Sequence, residues 1–253
     1  MKNCMRYLRT RTRASQLPTL VQEEAGIHVG ISRDLDGAAR HCADVMCSQY
    51  RSWRRRDRHA AWGQYKRRYF TIAVGGGNTV KAVYNAWLNE HHSDIDWIKH
   101  VRFFLLEETS GEPGREGVEN SLVINFIVPL AHKLIKHKSK NVVARSLGLE
   151  SPVDADDVIE AMIATMINPL RLGPVKAALE RGEQRQARQL ASAEARRYQR
   201  EISSKLGASM EFHLVVSGIG KDGTVGAFAP YAEELAIDEP SVLVLRPGSD
   251  ALR

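Results

Sequence analysis

The stretch "YFTIAVGGGNTVKAVYNAWLNEHH", residues 69–92, decides the fold. Its first six residues, 69–74, form a continuous apolar run of strand type. Gly75, Gly76 and Gly77 end that run. The segment that follows, 80–92, carries its apolar residues at helical spacing and predicts an amphipathic helix. Strand, glycine turn and helix in succession are the parts of a parallel, helix-flanked sheet.

The same alternation continues on both sides. "IHVGI", 27–31, alternates as a short strand does, and 34–53 has helical spacing behind a candidate cap at Asp34. "HVRFFLLEE", 100–108, is a second buried strand, ending on Glu107 and Glu108. The Gly- and Pro-bearing segment 109–120 reads as a loop, and 121–135 returns to helical spacing. Residues 152–207 read as mostly helical, with Pro174 near a helix start and Glu/Arg pairs on a solvent face. "EFHLVVS", 211–217, and "SVLVL", 241–245, are the last strands. The pattern predicts an α/β fold with a largely parallel sheet flanked by helices. It spans one domain, 26–253, behind a basic extension, 1–25, that shows no clean period.

With 253 residues and 43% hydrophobic content the chain can build one large core, or two small ones. No apolar run reaches the roughly 18 residues of a membrane span, so no membrane partner is expected. The N-terminus is basic without an apolar core, which excludes a secretory signal. Its Arg-rich, acid-free composition leaves an organellar presequence open beside a plain extension. The three cysteines, Cys4, Cys42 and Cys47, are too few and scattered for a disulfide framework or a zinc site. A cytoplasmic protein with no metal and no cofactor is the expectation.

The net charge of +6 is concentrated in 51–68, which holds eight Lys/Arg against Asp57. Such a run is either a nucleic-acid patch or a solvated helix face. Trp53 and Trp62 within it either stack on bases or anchor on the core. No helix-turn-helix or other binding module accompanies the run. The solvated face is therefore the preferred reading, and nucleic acid is not an expected partner.

Parallel strands place their carboxyl ends on one edge, where ligands of open α/β sheets bind. Three chemically equipped loops follow strands here. In Gly75–Gly76–Gly77–Asn78–Thr79 the glycines admit an anion close to backbone N–H groups. The following helix adds its positive end, Asn78 and Thr79 add donors, and Lys81 adds charge. Glu107 and Glu108 suit proton transfer and hydroxyl orientation, or simply finish a strand in solvent. Asp222, between Lys221 and Gly223 in "GIGKDGTVGAFAP", 218–230, is either catalytic or an Asx-turn residue.

In order, these stretches resemble the glucosamine-6-phosphate isomerase/6-phosphogluconolactonase family, from about residue 27 to 230. "GGGNT" resembles the family's phosphate loop "GGSTP", and "IDWIKHVRFFLLEET" resembles its "DW…FFWGDER" strand. "ENS", 119–121, loosely resembles "SNY". "GIGKDGTVGAFAP" resembles "GMGPDGHTASLFP" of the lactonases and "GIGVDGHIAFNEP" of the deaminases. The resemblance implies a Rossmann-like sugar-phosphate isomerase fold, a sugar-phosphate ligand and a place in carbohydrate metabolism such as the pentose phosphate pathway. It implies that Gly75, Gly76, Gly77, Asn78, Thr79 and Lys81 hold phosphate. Asn120, Gly220 and Lys221 then contact the rest of the substrate, and Glu107, Glu108, Asp222 and Thr224 form the catalytic set.

The departures fall on the chemistry. Glu107 stands for an Asp, Thr109 for the lactonase Arg, and Val80 for the Pro of the phosphate loop. Thr224 stands for the His of "DGH". An imidazole passes protons near neutrality, whereas a threonine hydroxyl only hydrogen-bonds there. The helical stretch around 152–195 is longer than in the family, and the C-terminal part after Pro230 is expected to be shortened. A 6-phosphogluconolactonase-like hydrolase with a degenerate loop is the leading expectation. A glucosamine-6-phosphate isomerase/deaminase and a non-catalytic sugar-phosphate sensor stay open beside it.

Overall fold

The computed structural model describes residues 21–24, 27–59, 69–91, 96–108, 117–150, 154–206, 211–225 and 228. The expectations for most of the N-terminal extension, for 60–68 with Trp62, for Thr109, and for Pro230 and 241–245 lie outside them. Strands β1 (Val21–Glu24) and β2 (Ile27–Gly30) pair antiparallel as a ribbon separate from the main sheet. The expected strand at 27–31 therefore forms, and a second strand lies within the stretch read as an extension.

Among the described residues the main sheet is parallel, in the spatial order β5 (Ile167–Asn168), β4 (Val101–Leu105), β3 (Phe70–Val74) and β6 (Leu214–Val216). Its centre is β3 and β4, both nearly fully buried as their apolar runs require. β6 extends one side. β5, only two residues long, extends the other and interrupts a region expected to be mostly helical. Successive strand residues face opposite sides. Phe70, Ile72, Val74, Phe103 and Leu105 join one core cluster, while Ala73 and Phe104 join another.

On the larger side lie α1 (Leu35–His59), α2 (Asn78–Glu90), α3 (Asp96–His100) and α4 (Val118–His137). They are followed by α5 (Lys140–Leu147) and α6 (Ala155–Met166). The Asp34 carboxylate accepts from Gly37 N–H at 2.7 Å, so the expected cap of α1 is present. The helix runs on into the basic segment because Ala43, Met46, Tyr50 and Trp53 continue its buried stripe. Trp53 packs on Tyr50 and Phe70, which makes it a core anchor, while Arg51, Arg55 and Arg56 are exposed.

Helix α4 starts at Val118, inside the stretch read as loop, and makes one π-helical turn at Val123–Ile127. By length and mean composition it is apolar enough to cross a membrane, although polar residues interrupt its apolar run. Leu122, Phe126, Ile127, Leu130 and Leu134 are fully buried against the sheet and its helices, the pattern of a core helix.

Helices α7 (Gly173–Glu180) and α8 (Gln184–Leu206) follow, with Pro174 in the first turn of α7 as expected. α8 covers the second face through Tyr198, Ile202 and Leu206. The Tyr198 hydroxyl accepts the Leu105 N–H at 2.7 Å and donates to the Asn168 carbonyl at 3.3 Å. One buried hydroxyl thus ties α8 to both β4 and β5. Asn168 adds a bond from its side-chain amide to the Phe103 carbonyl at 2.9 Å.

Candidate functional site

The parallel sheet brings the three loops to one edge. Gly75 ends β3 and donates to the Val216 carbonyl at 2.9 Å, which joins the first loop to the last. A Cβ on Gly75 would sit 3.1 Å from Ser217 Oγ, a tight contact with the side chain that follows β6. Gly76 donates to Glu107 Oε1 at 3.0 Å, which joins the first loop to the second. Gly218 faces Thr79, whose Cβ lies 3.6 Å from where a Gly218 side chain would begin.

The first loop presents the start of α2 to this edge. Gly77, with φ of 94°, turns the chain into the helix, and Asn78 and Thr79 are exposed in its first turn. No side chain caps this end, and no acidic residue lies in its first turn. Its N–H groups and positive dipole therefore suit an anion. Lys81 is half-buried one turn into the helix.

The two glutamates have separate roles. Glu107 is half-buried and holds the Gly76 amide. Glu108 lies at the start of α4, accepting from Val118 N–H at 3.2 Å and Glu119 N–H at 2.8 Å. It is a helix cap, placed where the macrodipole favours a carboxylate. Gly117 makes room for it, since a Cβ there would lie 2.3 Å from Glu108 Oε1. Glu108, expected in the catalytic set, is thus engaged with the start of α4. We predict that Glu108→Ala lowers stability by about 1 kcal/mol, in the range of other lost caps. The urea midpoint falls accordingly; an unchanged midpoint would remove the capping role.

Sequence reasoning missed Glu119. It is half-buried in the first turn of α4, and burial, followed by the charge of Glu108, raises its pKa above the usual carboxylate value. A carboxyl with raised proton affinity suits proton transfer. Burial and the approach of Glu108 together produce this, and nothing local in the sequence announces either. Asn120, beside it, is exposed on the same turn.

The third loop is a tight, mostly exposed turn. Asp222 Oδ1 accepts the Thr224 N–H at 3.0 Å, an Asx-turn bond that holds its carboxyl below the usual range. Gly220 donates to the Thr224 carbonyl at 2.7 Å, and Gly223 closes the turn at φ of 85° with a bond to the Gly220 carbonyl. Asp222 is thus a turn residue, and Lys221 is exposed beside it. Thr224 is half-buried at the centre.

An open groove elsewhere is lined by Glu183, Arg185, Gln186, Gln189, Leu190 and Ala193 of the α7–α8 region. None of these residues belongs to the carboxyl edge. Comparison with family models, with curated proteins and with solved structures finds no match to this chain.

Proposed function

We propose that this chain binds a sugar phosphate at the carboxyl edge of its sheet and is a 6-phosphogluconolactonase-like protein on a Rossmann-like sugar-phosphate isomerase fold. The observation that carries the reading is the meeting of the three loops around an uncapped helix start. There the Gly76 amide already holds a carboxylate oxygen at 3.0 Å. A phosphate takes the same kind of donor together with the N–H groups of Asn78 and Thr79.

In the hydrolytic form, water attacks the lactone carbonyl, the ring C–O bond breaks, and a proton passes to the departing oxygen. That sequence needs a group to accept the proton of the water. Thr224 does not accept it near neutrality, so hydrolysis is slow; losing a general base typically costs about 10²–10⁴ in rate. The sensor reading draws on a separate observation. Glu107, Glu108 and Asp222 each accept a backbone N–H, which spends the expected proton carriers on structure.

Calorimetric titration with 6-phosphogluconate and with glucosamine 6-phosphate tests the ligand class. Asn78→Asp separates binding from folding. An acidic residue in the first turn favours the helix by about 0.3–1 kcal/mol, yet it repels a bound phosphate. The expected result is affinity weakened about tenfold or more, with an unchanged or raised melting temperature. Equal affinity in both proteins removes this helix start from the site.

A further inference from the structure

We infer that Asp44, Glu90 and His91 form a binding site for a divalent cation of the zinc class, between α1 and the C-terminal end of α2. One ligand atom from each of the three residues lies within 4.8 Å of the other two. His91 Nε2 and Asp44 Oδ1 are already 2.9 Å apart, and both side chains are half-buried. Glu90 is exposed and precedes His91 in sequence.

The geometry fits an ion with little movement. Zinc binds imidazole nitrogen and carboxylate oxygen at about 2.0–2.2 Å, which separates ligand atoms in a tetrahedron by about 3.4 Å. The His91–Asp44 pair has to open by about half an ångström. The Glu90 carboxylate, on a solvated side chain, has to close by at most about an ångström and a half. The pair is held in place before any ion arrives, so most of the ordering cost is already met. One nitrogen and two oxygens form a borderline donor set that suits Zn(II), Co(II) or Mn(II), with the fourth position left to water.

The position also favours a cation. His91 closes the C-terminus of α2, its N–H bonded to the Trp87 carbonyl at 2.8 Å. Helix carbonyls at that end point their negative dipole toward the site. Lys133 already exploits this, donating to the Leu88 carbonyl at 2.9 Å. The two carboxylates outnumber the single imidazole, so an ion relieves their repulsion and pins α2 to α1. The site lies at the far end of α2 from the proposed phosphate position, about 20 Å along a helix of 13 residues. It stands or falls independently of that function.

The test is titration of the tag-free full chain with Zn(II) by calorimetry and with Co(II) by absorption spectroscopy. It compares wild type, Glu90→Gln and Asp44→Asn. Glu90 is exposed, so its amide variant keeps the fold. The expected result is one equivalent bound by wild type with a raised melting temperature. The affinity falls at least tenfold in both variants. Equal affinity and stoichiometry in wild type and Glu90→Gln overturns the site. So does a thiolate-to-cobalt charge-transfer band, which places the ion on a cysteine, and so does a wild type that binds no ion.

Discussion

Trp87→Ala removes about 3–5 kcal/mol of stability, the usual cost of emptying an aromatic site in a packed core. Trp87 is wholly buried on α2, its ring centroid 4.6 Å from Trp97 and 4.9 Å from Phe126. Those contacts join α2 to α3 and α4, and no small side chain refills the space. Against a total of about 5–15 kcal/mol, this variant is largely unfolded under mild denaturant. Among the described residues, the Trp87 indole N–H is buried without a hydrogen-bond partner. Trp87→Phe therefore sacrifices no hydrogen bond and costs much less than the alanine variant. Urea unfolding of both proteins checks the pair of expectations. Equal losses would mean that the N–H matters more than the ring volume.

Thr224→His raises hydrolysis of freshly made 6-phosphoglucono-lactone by about one to two decades, part of the general-base range. The turn tolerates the change. Its backbone bonds run from Gly220 to the Thr224 carbonyl, from Gly223 to Gly220, and from the Thr224 N–H to Asp222, and the substitution gives up only the Thr224 hydroxyl's bond to Asp222. Asp222 stands beside the new imidazole and can orient it. The gain rises with pH as the imidazole loses its proton, with an apparent pKa near about 6.5. Acid release corrected for spontaneous hydrolysis is the measurement. A wild type that is already fast, and slower as Thr224→His, shows that another base is at work, and Glu119 is then the first candidate. Two silent proteins that still bind the phosphate ligand favour the sensor.

The sheet was legible where its physics is local. β3, β4 and β6 are short apolar runs beside turn residues, α2 has clean amphipathic spacing, and Asp34 marks a helix start by its side-chain chemistry. β5 was not legible, because two residues carry no period and its pairing comes from β4 alone. Nor was the length of α1, whose arginines read as a charged run while Met46, Tyr50 and Trp53 kept a buried face beneath them. The convergence of the three loops followed from parallel strands. The duty of each carboxylate did not. Glu107 and Glu108 are neighbours in sequence, yet one meets a glycine amide just after β3 and the other the start of α4. Asp222 offered both readings from the outset, and the turn bond to Thr224 N–H is the one the structure contains.

The Glu107–Gly76 bond makes the loop its own competitor. A tethered carboxylate stands at the amide at high effective concentration, so any incoming anion must displace it rather than fill open space. A monoanion that engages only this amide gains little from the exchange. A phosphate dianion also recruits the start of α2, and that second contact tips the balance. On the proposed phosphate-binding reading, the loop sets a threshold of anion valence, discriminating by rejecting weak ligands as well as by holding strong ones.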